Sequence, residues 1–173
     1  MSQDLLMNRN QVHLNQMLSA NAMRDLDGWI AKYPADQKQS AVMAALRIAQ
    51  DEHTYLTPAL MDAIAQYLAM PKIHVYEVAT FYSMYELRPV GKHVINVCTN
   101  ISCQLAGTER IVKYLQNTLQ IAVGETTVDG RFTLRAVECL GACVNAPIMQ
   151  VDKDYHENLT LQNLTQILDQ YTD

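Results

Sequence analysis

Four cysteines are the residues of this chain whose type and spacing could do chemistry. Cys98 and Cys103 stand in Val97-Cys-Thr-Asn-Ile-Ser-Cys103, and Cys139 and Cys143 stand in Glu138-Cys-Leu-Gly-Ala-Cys143; the sequence has 4 cysteines in all. They make two close pairs, C-x4-C and C-x3-C. Such thiols can hold an iron–sulfur cluster, hold a structural zinc, or form disulfides. A structural zinc takes four ligands around one ion and usually sits in a C-x2-C knuckle, and neither pair has that spacing. A 2Fe–2S cluster is wider, with two thiolates on each iron, and C-x4-C opens the plant-type ferredoxin pattern. The C-x2-C that continues the plant pattern is absent, so a different ferredoxin lineage is expected. Gly141 and Ala142 are small, so the backbone can approach a cluster and aim N–H groups at it. Spacing alone favours 2Fe–2S and leaves zinc, a disulfide or free thiols as alternatives.

The elements that must position these cysteines follow from the pattern around them. His93-Val-Ile-Asn-Val-Cys98 reads as a β-branched strand that delivers Cys98 at its end. A helix is predicted over 105–119, with Thr108, Ile111, Val112, Leu115 and Leu119 on one face and Cys103 near its start. Asp129-Gly130 between β-prone residues predicts a hairpin over 126–134, whose second arm runs on to deliver Cys139. Pro147 precedes a strand over 148–152, and a turn follows at Lys153-Asp154. Thr160 is the expected N-cap of a last helix, with Leu159 stapled onto Leu164 and Leu161, Leu164, Ile167, Leu168 and Tyr171 inward. A helix start beside Cys98 and Cys103 would favour an anion, and a 2Fe–2S centre with four thiolates carries a formal charge of about −2 oxidised and about −3 reduced. Thr99, Asn100, Ile101 and Ser102 are the expected backbone donors to it. Glu138 reads as a solvated carboxylate at a strand end.

The first half of the chain has a different pattern. Residues 1–18 show no periodicity and read as a mobile or loosely docked tail. A helix is predicted over 19–32, ended by Pro34, with Met23, Leu26, Trp29 and Ile30 inward. Asp36 is the expected N-cap of a second helix reaching 53, with Gln39 at the capping-box position and Val42, Met43, Leu46 and Ala49 or Gln50 inward. Thr57-Pro58 opens a third helix to 69, with Leu60, Ile64, Tyr67 and Leu68 inward. Pro71 introduces a fourth over 73–81, using Val75, Val78, Ala79 and Tyr82. Short helices joined by short loops predict a small antiparallel bundle over 19–88. Its last stretch, Thr80-Phe-Tyr-Ser-Met-Tyr-Glu-Leu87, is rich in the aromatic and Met residues favoured at interfaces; it suits docking on another protein or a seam to the next domain. Arg88-Pro-Val-Gly-Lys92 is a turn-rich boundary. The fold expected is α/β: a helical bundle, then a strand–helix–hairpin–strand–helix layer over 89–173.

Composition bounds what such a chain does. It has 173 residues, 49% of them hydrophobic, and a formal net charge of −5. A packed core is expected, and disorder is not. There is no basic tract, so nucleic-acid binding is not expected. No apolar run approaches the roughly 18 residues of a membrane span, so direct membrane insertion is not expected. Met1-Ser-Gln-Asp-Leu-Leu-Met-Asn-Arg-Asn10 reads as neither a secretory signal nor a transit peptide, and a cytosolic setting keeps thiols reduced. His13, His53, His74, His93 and His156 read as structural or surface residues. No G-x-G-x-x-G or P-loop occurs, so no nucleotide site is expected. No Ser/His/Asp set or carboxylate pair marks a catalytic residue.

The two cysteine motifs and the trailing Asn145-Ala-Pro147 resemble the thioredoxin-like 2Fe–2S ferredoxins. Within them they resemble the small, 24 kDa-type iron–sulfur subunits of the NADH dehydrogenase module of respiratory complex I. Glu77-Val-Ala-Thr-Phe-Tyr82 and Arg88-Pro-Val-Gly-Lys92 resemble that family too, and the likeness runs from about Ser19 to Leu168. It implies a thioredoxin-like second domain and one 2Fe–2S cluster per chain, held by Cys98, Cys103, Cys139 and Cys143. It implies an electron carrier that is part of an NADH:quinone oxidoreductase and not catalytic alone. NADH gives up a hydride, while such a cluster takes one electron at a time; in the family the conversion is made by FMN on a larger iron–sulfur subunit that also binds NADH. Other peripheral-arm subunits of the complex are implied partners, and the implied place is the cytoplasmic side of the inner membrane. The same subunit type occurs in NAD-linked hydrogenases and formate dehydrogenases. A zinc-stabilised interaction protein is the remaining alternative.

Overall fold

The computed structural model describes residues 13–171. The chain divides into two compact units, one ending at Pro89 and one beginning at Val90.

The first unit is all helical. Helix α1 spans Leu14–Met17, α2 Ala20–Ile30, α3 Val42–His53, α4 Pro58–Tyr67 and α5 Lys72–Phe81, and a 3₁₀ turn at Lys38–Ala41 leads into α3. Two helices are capped at the positions where they were expected to start. The Ser19 hydroxyl accepts from Ala22 N–H, and the Thr57 hydroxyl accepts from Leu60 N–H ahead of Pro58. Each answers an N–H that the helix's first turn leaves without a partner. Asp36 does not cap. Its neighbour Gln37 donates its backbone N–H to the Pro34 carbonyl, and the chain enters α3 through the 3₁₀ turn instead.

The core of this unit gathers Leu26, Leu46, Leu56, Leu60, Ile64 and Leu68, all fully buried. Burying a side chain of this size stabilises by about 1.5–3 kcal/mol. The inward face of α3 holds Val42, Leu46 and Ala49 as read, with Ala45 and Ile48 beside them, while Met43 is exposed. Residues 1–12 of the predicted tail lie outside the described residues. Its last part is not loose: Leu14 and Leu18 are buried in this core, and His53 Nε2 contacts the Met17 carbonyl at 2.7 Å. Gln50 is a brace, not a core residue. It donates to the Met84 carbonyl and accepts from Glu86 N–H. The Thr80–Leu87 stretch leaves Phe81, Tyr82, Met84 and Leu87 exposed.

The second unit is a four-stranded sheet with helices. Strands β1 (His93–Cys98), β2 (Phe132–Val137), β3 (Met149–Val151) and β4 (Asp154–His156) stand in the order β2-β1-β3-β4. Strand β1 runs parallel to β2, with Cys98 opposite Val137, and antiparallel to β3. A parallel pair needs a crossover, which here is helices α6 (Ile101–Leu105) and α7 (Thr108–Leu119). The helix predicted over 105–119 is α7, starting at Thr108, and a short α6 that carries Cys103 precedes it. Gly107, with φ +96°, takes the left-handed turn between them that a Cβ would resist. The core is Ile95, Val97, Ile111, Leu115, Phe132, Leu134, Met149 and Val151, closed by Leu164, Ile167 and Leu168 of helix α8 (Leu161–Leu168).

Two expectations are modified here. The hairpin over 126–134 forms with one bridge, between Thr126 and Thr133, and its first arm is not a full strand. Thr127 N–H donates to the Phe132 carbonyl at 2.8 Å and Leu134 N–H to the Glu125 carbonyl at 3.1 Å, while the Thr127 hydroxyl accepts from Arg131 and Phe132 N–H at the turn. The predicted Lys153-Asp154 turn falls one residue earlier. Val151 pairs with Asp154, so Asp152 and Lys153 form a two-residue loop, with Asp152 at φ +54°. Thr160 caps α8 through Asn163 as read, while Leu161 is exposed.

Candidate metal centre

The cysteines collect at one end of the sheet because three elements end or begin there. Strand β1 ends at Cys98, and the α6 turn that follows carries Cys103. Strand β2 ends at Val137, and the loop after it carries Cys139 and Cys143. Strand β3 starts just past Ile148. Backbone bonds tie these together: Cys98 N–H donates to the Ile148 carbonyl at 3.1 Å, Thr99 N–H to Val137 at 2.8 Å and Asn100 N–H to Glu138 at 3.1 Å. The two cysteine loops are therefore held edge to edge by the continuing β1–β2 register.

Cys98 and Cys103 are fully buried with Ile148 in a small cluster of their own, against which Leu140, Ala142 and Ala146 of the second loop pack. Cys139 and Cys143 are exposed on that loop, and all four thiols are free. The structure thus brings Cys98 and Cys103 together and lays the second pair's loop over them. Among the described residues, no three His, Cys, Asp or Glu side chains are arranged about a single ion.

Burial disfavours an unpaired thiolate at Cys103. Burial, then the hydrogen bond with Cys98, push the Cys103 thiol up to about 11, with the charges of Cys98 and Cys143 acting in the same direction. Opposing them, Ile148 N–H donates to the sulfur. Metal binding requires thiolates and supplies the positive charge that offsets their burial. The Cys98 sulfur lies 3.0 Å from the Glu138 carbonyl, and Gly141 N–H donates to Cys139 Sγ at 3.4 Å. Gly141 reaches that position with φ +83°, a backbone state natural to glycine.

Two of the four predicted donors are engaged elsewhere. Thr99 and Asn100 N–H are engaged by Val137 and Glu138, and α6 has only five residues, too few for a strong terminal dipole. The N–H groups aimed at sulfur belong to Ile148 and Gly141. Glu138 is exposed and receives Asn100 Nδ2 at 3.4 Å. His93 bonds Asp152 at the other end of β1, and His156, the last residue of β4, bonds Tyr171. Three supports were not read from the sequence. Buried Thr108 donates to the Cys98 carbonyl at 2.8 Å, Tyr155 donates to the Leu140 carbonyl at 3.0 Å, and Asn145 Nδ2 donates to Glu157 at 2.6 Å. Thiols gathered at one end of the sheet with backbone N–H groups beside them suit a two-iron centre.

Comparison with known proteins agrees. The description of the thioredoxin-like [2Fe-2S] ferredoxin family matches residues 26–172. The NADH-quinone oxidoreductase E subunit 2 of Rhizobium meliloti (strain 1021) is 44% identical over 147 residues, 85% of this chain and 86% of that protein. The NADH-quinone oxidoreductase E subunit of Rickettsia conorii (strain ATCC VR-613 / Malish 7) is 45% identical over 141 residues, 81% of this chain and 84% of that one. Among solved structures, a NAD+-reducing [NiFe]-hydrogenase in the air-oxidized state superposes with a TM-score of 0.64 at 17% identity, over 80% of this chain and 24% of the hydrogenase chain. At that identity the likeness is one of fold. The match across most of the chain, together with the paired-cysteine end of the sheet, places the chain in the thioredoxin-like [2Fe-2S] ferredoxin family.

Proposed function

We propose that this chain is the electron-transfer subunit of the NADH dehydrogenase module of an NADH:quinone oxidoreductase. The observation that carries the reading is the convergence of the two cysteine loops on one buried sulfur pair, in a chain 44% identical to the Rhizobium meliloti oxidoreductase protein along most of its length. The cluster, when bound, accepts and gives back one electron at a time. Cys98, Cys103, Cys139 and Cys143 are the proposed ligands. The chain's own residues hold it: Ile148 and Gly141 direct N–H groups at sulfur, while Leu140, Ala142 and Ala146 keep water from the buried pair. Four thiolates fill both irons, so no coordination position is left for a substrate, and the site passes electrons only.

The partner in this reading is a larger FMN- and NADH-binding protein, with other peripheral-arm subunits of the complex around it. Ile101, Leu105 and Val144 stand exposed on the two cysteine-bearing segments, apolar surface of the kind a protein partner covers. The helical unit supplies a second docking face at Phe81, Tyr82 and Met84. No helix among the described residues is long and apolar enough to cross a membrane. We place the subunit on the cytoplasmic side, attached through the complex.

Mixing the purified chain with its flavoprotein partner tests this. The chain alone neither binds nor oxidises NADH. With the partner, NADH reduces flavin, and the chain's cluster signal then appears. NADH oxidation by the isolated chain, free of flavin, would end the carrier reading.

A further inference from the structure

The second cysteine loop has a peptide whose two ends are both engaged. The carbonyl of Leu140 accepts from the Tyr155 hydroxyl at 3.0 Å, and the N–H of Gly141 donates to Cys139 Sγ at 3.4 Å. These are the C=O and N–H of a single peptide unit. That unit is planar, and in its trans form the two groups point in opposite directions. Holding the oxygen therefore sets the direction of the hydrogen. Tyr155 lies on β4 and is 48% exposed; it pairs with Gln150 of β3. The hydroxyl is thus anchored on the sheet and reaches out to a loop that has no ladder of its own. Gly141, at φ +83°, lets the peptide turn without a Cβ penalty.

We propose that Tyr155 is a positioning residue for the cluster: by fixing the Leu140–Gly141 peptide it keeps the Gly141 N–H on Cys139 Sγ. This rests on Cys139 being a ligand, as proposed above. A donor at a ligand sulfur stabilises the extra negative charge of the reduced state and raises the potential. A hydrogen bond accepted at the peptide oxygen also polarises the N–H and strengthens its donation. Without the hydroxyl the peptide is free to rotate, and the reduced cluster loses part of that support.

The test is the full chain with Tyr155→Phe, which keeps the half-exposed ring and removes only the oxygen. Iron and labile sulfide stay at the parent level. The midpoint potential moves negative, by up to roughly tenfold in the one-electron equilibrium constant, or about 59 mV. Pulsed EPR on protein grown with ¹⁵N-glycine shows a nitrogen coupling in the reduced parent that weakens in Tyr155→Phe. Tyr114→Phe removes a hydroxyl that bonds Thr165 at 2.6 Å, away from the cysteines, and leaves potential and coupling unchanged. A variant that loads less cluster is read on its loaded fraction, since both signals come from the reduced cluster itself. An unchanged potential and coupling in Tyr155→Phe, with the parent carrying a 2Fe–2S signal, overturns the role of Tyr155 alone. An equal shift in Tyr114→Phe overturns it too. A parent with no iron overturns the ligand assignment and this inference with it.

Discussion

The Thr108 hydroxyl donates to the Cys98 carbonyl across 2.8 Å, with Thr108 itself 1% exposed. Thr108 is the first residue of α7, and Cys98 is the last of β1. The bond joins the crossover helix to the strand end and fixes the loop that carries Cys103 between them.

Thr108→Val keeps the shape and removes the donor. A buried carbonyl that loses its partner costs about 1–3 kcal/mol. Thermal unfolding of the second unit is expected to drop by roughly 4–8 °C per kcal/mol, and the cluster to be released faster on heating. An unchanged melting temperature would mean that the carbonyl is satisfied in another way.

Gly91 is expected to resist any side chain. An added Cβ would stand 2.9 Å from the Phe132 carbonyl carbon, 3.0 Å from the Gly130 oxygen and 3.0 Å from Phe132 N, all backbone atoms. The Gly91 N–H also donates to the Thr133 hydroxyl at 2.6 Å. Backbone cannot move aside as a side-chain tip can, so Gly91→Ala costs about 1–3 kcal/mol in the overpacking range. The urea midpoint falls with an unchanged slope. A midpoint equal to the parent's would contradict this packing.

Alkali is expected to weaken both units. Burial, with the nearby Asp154, pushes Tyr171 up to about 12; burial, with the hydrogen bond to Asp27, does the same for Tyr67. In the unfolded chain a tyrosine releases its proton near 10. Between about pH 10 and about pH 12 the unfolded state therefore binds fewer protons than the folded state, and stability falls as pH rises. Below about pH 10 this contribution is fully present. Absorbance titration of tyrosinate shows Tyr67 and Tyr171 ionising after most of the chain's 9 tyrosines, and Tyr171→Phe flattens the alkaline loss in the second unit. A single titration near 10 for all tyrosines would contradict the packing around these two.

The sequence carried the cysteine loops because their chemistry is local. Spacing, small residues and the strands before Cys98 and Cys139 all lie within a few residues of each other. The caps at Thr57 and Thr160, and the helix start at Ser19, were legible for the same reason. What was not legible depends on distant partners. Asp36 has the right type for a cap, but Pro34 closes a turn first. Asp129-Gly130 is a true turn, yet its first arm makes only one bridge, at Thr126, and is no full strand. Strand β4 is three residues with polar ends, and only β3 gives it a reason to extend. Tyr155, Thr108 and Ile148 support the cysteines from elements far apart in sequence, so no spacing marks them. The periodic reading of α3 held at Val42, Leu46 and Ala49 and missed at Met43, which is exposed.

The central claim is that Cys98, Cys103, Cys139 and Cys143 together hold one 2Fe–2S cluster. Metal and labile-sulfide analysis of the anaerobically purified chain, with EPR after reduction, tests it most directly. The account predicts about two irons and two sulfides per chain and a rhombic signal from one unpaired spin, all lost in Cys139→Ala. One zinc per chain with no labile sulfide, or an iron signal that survives Cys139→Ala unchanged, would contradict it.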